Sequence, residues 1–395
     1  MTIPVQKLST FCKTGSGGTP SRSNNNFFEN GTIPWVKSGE LKNRYITEIE
    51  EYITDLAIEK SSAKLVAKGS LLIAMYGATV GEVSQLTFDA TTNQAICNIL
   101  PDENICDVNY LYRFLEASKP YLLSRRVGGG QPNISQGIIK DLEIPLPPLS
   151  EQRRIASILD KVDELRQKRQ QAIAKLDQLL QATFIDMFGD PVSNPKGWNI
   201  VKVGNIVDEF IGGKNVECPD ESDSPYKILK VSAVTSKVYK SSESKIAPNG
   251  FVPNNLAIVK KGDLLFSRAN TTELVAATAY IWQTPDNIVL PDKLWKFSIS
   301  DEAKVNKLYL WDLFKNTEFR NELSKLSSGT SGSMKNISKG KLNELKMPLP
   351  PKELQEKFAE ISTKLWSEIE IYKQSSDTLE KLFKSIQNKA FSGTL

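Results

Sequence analysis

The sequence predicts an α+β protein built as a tandem repeat. Two mixed domains are separated by two long helices that pair as an antiparallel coiled coil, in a pseudo-twofold layout. Three observations predict this. Short strings recur in the same order: Ile144-Pro145-Leu146-Pro147-Pro148 returns as Met347-Pro348-Leu349-Pro350-Pro351, and Asn133-Ile134-Ser135 as Asn336-Ile337-Ser338, both 203 residues later. Lys68-Gly69-Ser70-Leu71-Leu72 returns as Lys261-Gly262-Asp263-Leu264-Leu265, and Trp35-Val36-Lys37 as Ile228-Leu229-Lys230, both 193 residues later. After each proline cluster, apolar residues keep a 3–4 spacing for many turns. A chain of 395 residues is also long enough for more than one core.

Residues 1–147 form the first domain. Apolar and β-branched runs at Ser70–Tyr76 and Ala95–Leu100 read as strands between Gly, Asn, Pro and Ser clusters, and Val108–Ala117 reads as a helix. Residues 148–190 form the first long helix, stopped upstream by Pro147-Pro148 and capped by Ser150. Its apolar stripe runs through Ile155, Leu159, Val162, Leu165, Ile173, Leu176 and Leu180. The breaker-rich run from Asp190 to Trp198 leads into the second domain, residues 191–347, with strands expected at Leu256–Lys260 and Leu294–Ile299 and a helix at Val305–Lys325. Residues 348–395 form the second long helix, where Phe358, Leu365, Tyr372, Leu379 and Ile386 fall seven apart. Pseudo-symmetry places its end, near Phe391, beside the start of the first domain near Val5.

Composition narrows the chemistry. The chain has no histidine, which excludes a Ser-His-Asp or Cys-His nucleophile, a histidine metal ligand and a histidine base. Cys12, Cys97, Cys106 and Cys218 form no C-x-x-C pair, so they read as free thiols in a reducing cytosol, with no zinc site. There is no P-loop, no dinucleotide fingerprint and no Asn/Asp-Pro-Pro-aromatic run of the amino-methyltransferase kind. Neither a membrane-span pattern nor a signal-peptide pattern is present, so a cytoplasmic protein is expected. One nuclease-like pattern exists, Asp220 with Glu243 and Lys245, which could hold Mg²⁺; it has no counterpart in the first repeat.

Net charge is +4 and unevenly spread. Residues 1–147 carry 14 basic and 15 acidic side chains, whereas residues 191–347 carry 22 and 17. Two acid-free windows occupy equivalent places, Ala117 to Lys140 and Leu323 to Asn343, each with four basic residues and a glycine-rich turn. Glycines let backbone N–H groups approach phosphate, Lys and Arg supply charge, and Gln and Asn can read base edges. The candidate DNA-binding residues are therefore Arg125, Arg126, Gly129, Gln131 and Asn133 in the first copy, and Lys335, Asn336 and Lys339 in the second. Lys37, its counterpart Lys230, and Arg268 are added beside the repeated strands.

The run Asn133-Ile134-Ser135 followed by Ile144-Pro145-Leu146-Pro147-Pro148-Leu149-Ser150-Glu151-Gln152-Arg153-Arg154-Ile155 and a long helix resembles the DNA specificity (S) subunit of Type I restriction–modification systems. So do the helix end Phe184–Pro191, the domain start Gly197-Trp198 and the terminus Lys389-Ala390-Phe391-Ser392-Gly393. The resemblance implies two target-recognition domains, each reading one half of a split sequence in double-stranded DNA. It implies helices that act as spacers and dock two DNA methyltransferase (M) subunits, with Glu151, Gln152, Arg153 and Arg154 as the partner-binding residues. Motor–nuclease (R) subunits would complete an enzyme used in phage defence. S-adenosylmethionine, ATP and Mg²⁺ would be used by those partners, with no cofactor and no catalysis in this chain. The second copy departs from the motif, with Lys352-Glu353-Leu354-Gln355-Glu356 in place of the Glu-Gln-Arg-Arg run. Two other functions stay open: a coiled-coil protein-binding scaffold without DNA specificity, and the Mg²⁺-dependent nuclease.

Overall fold

Strand pairing places Leu71–Ala74, which begins within the repeated string Lys68–Leu72, at the centre of a five-stranded sheet. The strand order is Cys12–Ser16, Ile96–Pro101, Leu71–Ala74, Val83–Leu86, Tyr45–Ile46. The computed structural model describes residues 3–126, 133–236, 238–328 and 335–392. They divide into two units: residues 1–170 with 374–395, and residues 171–373. Each unit therefore contains one mixed domain, the first part of the long helix that follows it and the last part of the other long helix.

The two domains repeat one register. In the first, Cys97 pairs with Ser16 on one side and Ile73 on the other. In the second, Trp295 pairs with Gly212 and Phe266 in the same way, within a four-stranded sheet ordered Glu209–Gly212, Leu294–Ser298, Leu264–Ser267, Thr278–Tyr280. A second small sheet accompanies each: Tyr52–Ile53, Ile33–Val36, Ala90–Thr92 and Leu65–Val66 in the first domain, Ser244–Ile246, Lys227–Leu229 and Ile288–Val289 in the second. The backbones approach closely where these sheets meet. A Cβ on Gly17 would sit 2.2 Å from the Thr92 carbonyl oxygen, and one on Gly213 would sit 1.6 Å from that of Leu290, so both positions need glycine.

Helix Val108–Ala117 forms as the pattern predicts, because the Asp107 carboxylate accepts the N–H groups of Asn109 and Tyr110 at its start. The expected helix over Val305–Lys325 is two helices, Lys307–Lys315 and Thr317–Lys325. Asn316 breaks it: its backbone is extended and its side chain accepts the N–H of Phe319, which starts a new helix. The expected strand Leu256–Lys260 is a 3₁₀ turn, Asn255–Ala257, capped by Asn254, followed by a single bridge from Ile258 to Val289.

The first long helix spans Leu149–Phe188 and the second Lys352–Phe391, 40 residues each. At 1.5 Å per residue each is about 60 Å long. Ser150 is not the cap; the helix starts at Leu149, and the Pro148 carbonyl accepts the N–H groups of Glu151 and Gln152. The stripe divides along the helix. Ile155, Ala156, Leu159 and Val162 join the first domain's core, with Phe383 and Ala390 of the second helix. In this unit Gln152 and Phe391 both lie on the segment Asp107–Phe114, while Arg166, further along, pairs with Glu380, further back. The two helical segments are therefore antiparallel. Ala390 shares the core with Leu8 and Phe11, which puts the helix end beside the domain start. In the second unit Leu180, Phe184 and Phe188 pack with Phe358, Trp366 and Ile369 on that domain's core. The rings of Phe184 and Phe188 lie 5.5 and 5.3 Å from that of Phe358. Among the described residues, no helix is long and apolar enough to cross a membrane.

Candidate nucleic-acid interface

The repeated sheet and the Asn-Ile-Ser string meet at one place in each domain. In the second, strand Leu264–Ser267 runs into Arg268, whose N–H donates to the Lys293 carbonyl (3.1 Å) and whose carbonyl accepts the N–H of Ile337 (2.8 Å). Ala269 and Asn270 then pair with Asn336 and Lys335. In the first domain Met75 takes the place of Arg268: its N–H donates to the Ala95 carbonyl (2.8 Å) and its carbonyl accepts the N–H of Ile134 (2.9 Å). Tyr76 then bridges Asn133. Ile134 and Ile337 are buried and pin the string, while Ser135 and Ser338 cap the short helices that follow.

This geometry gathers Arg268, Asn336 and Lys339 of the predicted set. The Arg268 guanidinium donates through Nε to the Asp292 carbonyl (2.8 Å) and through Nη1 to Asn336 Oδ1 (3.3 Å). It lies 5.6 Å from the centroid of Trp295, and the Lys339 ammonium lies 5.8 Å from the same ring. Asp292 and Trp295 were not predicted; the signal that could have marked them is the strand register, which sequence strings alone do not display.

The remaining predicted residues scatter. Arg125 is exposed, its guanidinium 5.2 Å from the Tyr121 ring, and Arg126 donates to the Leu123 carbonyl. Gly129 and Gln131 lie outside the described residues. Lys37, expected among the DNA contacts, is ion-paired within its own domain. It is held between Glu50 (2.7 Å) and Glu51 (3.0 Å), and hydrogen bonds to those carboxylates raise its pKa. Lys230 lies 3.7 Å from Glu243 in the same sense. Two lysines that repeat in sequence thus fasten loops of their own domains.

The predicted partner-binding run also divides. Glu151 and Arg154 form an exposed forked ion pair, and Arg153 is exposed 3.6 Å from Asp107. Gln152 is corrected: it is 1% exposed and faces its own domain. Its amide accepts the N–H of Asp107 (2.9 Å) and donates to the carbonyls of Ile105 (3.0 Å) and Pro147 (2.9 Å). Gln355, equally buried, accepts the N–H of Asn306 and donates to the carbonyls of Lys304 and Pro350. The signal for it is legible in the 203-residue offset, which carries Gln152 onto Gln355.

In the nuclease pattern, Glu243 and Lys245 are placed by the strand Ser244–Ile246 and its neighbours. Glu243 accepts from the Ser232 hydroxyl (2.7 Å), which with Lys230 lowers its pKa, and Lys245 lies on an exposed strand position opposite Ile228. Among the described residues no group of three His, Cys, Asp or Glu side chains could hold a metal.

Comparison with known proteins agrees with the repeat. The family model for the Type I restriction modification DNA specificity domain matches residues 3–175 and again 195–381. The chain is 31% identical to the EcoR124I/EcoR124II specificity subunit of Escherichia coli over 187 residues, about half (46%) of either chain. It is 26% identical to the MjaVIII specificity subunit of Methanocaldococcus jannaschii over 377 residues, covering 90% of this chain and 87% of that one. It is 24% identical to the EcoKI specificity subunit of Escherichia coli K12, covering 94% and 84%. The fold matches the crystal structure of a Type I S subunit from M. genitalium, with a TM-score of 0.61, 15% identity and 99% of both chains covered. With two copies of the family domain spanning most of its length, the chain belongs to the Type I restriction modification DNA specificity family.

Proposed function

We propose that this chain is the sequence-specific DNA-binding subunit of a Type I restriction–modification complex and directs it to a bipartite target. Each mixed domain contacts one half-site, and the long helices hold the domains and dock two methyltransferase subunits. Motor–nuclease subunits join that assembly. S-adenosylmethionine, ATP and Mg²⁺ act in the partners, in the cytoplasm, and this chain supplies targeting without catalysis. One observation carries the reading: the same strand-to-Asn-Ile-Ser junction is built in both domains, each beside an acid-free basic segment. Two equivalent sites on one chain suit a duplex read at two places, as paired half-sites require. The half-buried Glu151 and the exposed Arg153 and Arg154 at the start of the first helix are the proposed methyltransferase contacts.

The test is methylation mapping in cells that carry the methyltransferase subunit with and without this chain. A split motif that appears only with the chain is expected. Exchanging residues 1–147 for the matching domain of a relative should then change one half of that motif and leave the other. No chain-dependent methylation, or a change in both halves, would refute the assignment.

A further inference from the structure

The two equivalent junctions differ in charge. Around Arg268 the second domain places Lys339 and the exposed Lys293, with one carboxylate, Asp292. The same registers in the first domain hold Met75, Gln136, Ala95 and Gln94, none of them an ionised side chain, and Cys97 where the second domain has Trp295; the nearby cation there is Lys140, whose charge acts on Cys97 from outside these registers. Arg268 is also held in place. Nε is bound to the Asp292 carbonyl, Nη1 to Asn336, Nη2 lies 3.6 Å from the Asp292 carboxylate, and the guanidinium sits over Trp295. Its side chain still keeps 29% of its surface exposed. A guanidinium has only donors, so Asn336 turns its oxygen to it, which leaves its amide N–H₂ as the group's donor end. Arg268 and Lys339 carry donors and positive charge, so with that N–H₂ the cluster suits an anionic ligand rich in acceptors.

We infer that Arg268 and Lys339 form a backbone-phosphate anchor in the second domain that the first domain lacks, so that this domain carries a larger electrostatic share of DNA binding. The inference rests on the DNA-binding reading above. It agrees with the uneven charge, 22 basic to 17 acidic residues over 191–347 against 14 to 15 over 1–147. Preorganisation by Asp292 and Trp295 removes the rotamer freedom that a surface arginine loses on binding.

The experiment measures binding of the full chain to its mapped target duplex and to an unrelated duplex between 50 and 200 mM KCl. Each phosphate contact contributes a slope of about −0.9 in log K against log salt. Arg268→Met with Lys339→Gln should flatten the slope by about two on both duplexes. Across that fourfold salt range, the variant should lose roughly tenfold less affinity than the wild type. Lys339→Gln alone, at an exposed position that does not disturb the fold, should flatten it by about one. An unchanged slope in the single variant, or a loss confined to the target duplex, which marks a guanine contact instead, overturns the anchor. A wild-type chain that binds neither duplex, or binds both equally and independently of salt, would refute the DNA-binding reading itself.

Discussion

Gln152 and Gln355 show how much one buried amide can organise. Each ties the first turn of a long helix to the segment leading into its domain's capped helix, using one acceptor and two donors. Gln355→Ala would leave the Asn306 N–H and two carbonyls without partners in a closed site, at a cost of about 3 kcal/mol. Gln355→Glu should cost at least as much, because a carboxylate faces two carbonyl oxygens that the amide had bonded. Denaturant unfolding checks both, and an unchanged midpoint for Gln355→Ala would show that the amide is dispensable. Asp312 makes a different prediction. It is buried beside Lys315 (3.2 Å) and Ser362, and burial raises its pKa above the ordinary 3.8. The folded state therefore holds its proton more tightly than the unfolded state, and stability declines as pH rises from about 4 through the raised pKa. Asp312→Asn removes that decline. Its melting temperature relative to wild type should rise with pH over that window and then level off; a difference that does not vary with pH would contradict this.

At the scale of elements, the long helices combine two kinds of contact. Their apolar residues fill domain cores, and their polar residues meet a buried ionisable group in each unit, basic in the first and acidic in the second. In the first unit Arg113, 1% exposed, is bound by Asp160 (2.8 Å), Asp163 (3.1 Å) and Glu116 (2.9 Å), and Asp160 also holds Arg44. Burial opposes the Arg113 charge, and these carboxylates outweigh it. In the second unit the corresponding buried ionisable group is Asp312, with Lys315 on the same helix and Ser362 on the long one. Removing one partner of such a group strands the others, so Arg113→Met should destabilise far more than an exposed ion-pair deletion such as Lys161→Met. The helices also predict a spacing. One heptad added to each, after Ala172 and at the facing point of the second helix, preserves the apolar seam and adds about 10 Å. At ~3.4 Å per base pair, the nonspecific gap between half-sites should grow by up to about three base pairs. Methylation mapping of an active variant decides it, and an unchanged gap would place the ruler elsewhere.

For the whole molecule, the described residues nearest the two ends of the sequence belong to one unit. Residues 374–395 cluster with residues 1–170, and the Phe391 ring packs edge-on against Tyr110 (5.5 Å) and Phe114 (5.3 Å). A permutant that joins Leu395 to Met1 and opens between Ser193 and Gly197 keeps those contacts. It should fold and support methylation at the same target; an unfolded permutant would show that the Asp190–Trp198 junction must be continuous. By contrast, truncating the chain after Lys373 removes Phe383, Ala390 and Phe391 from the first unit's core and should destabilise that unit.

The duplication, the two long helices and the family resemblance were legible in the sequence, because repeated strings and a 3–4 apolar period are local patterns that survive without coordinates. The helix at Val108–Ala117 was legible for the same reason, its Asp107 cap lying next to it in the chain. What the sequence could not show is which charges are already answered. Lys37 and Glu51 are fourteen residues apart, Arg268 and Asn336 sixty-eight, and Gln152 and Asp107 forty-five, so only strand register and helix docking bring them together. Those long-range pairings tied Lys37 to carboxylates and buried Gln152, and the same pairings set Arg268 over Trp295 with its guanidinium braced. Residue type fixed the chemistry each side chain could perform; the nonlocal contacts decided which side chains remained available to perform it.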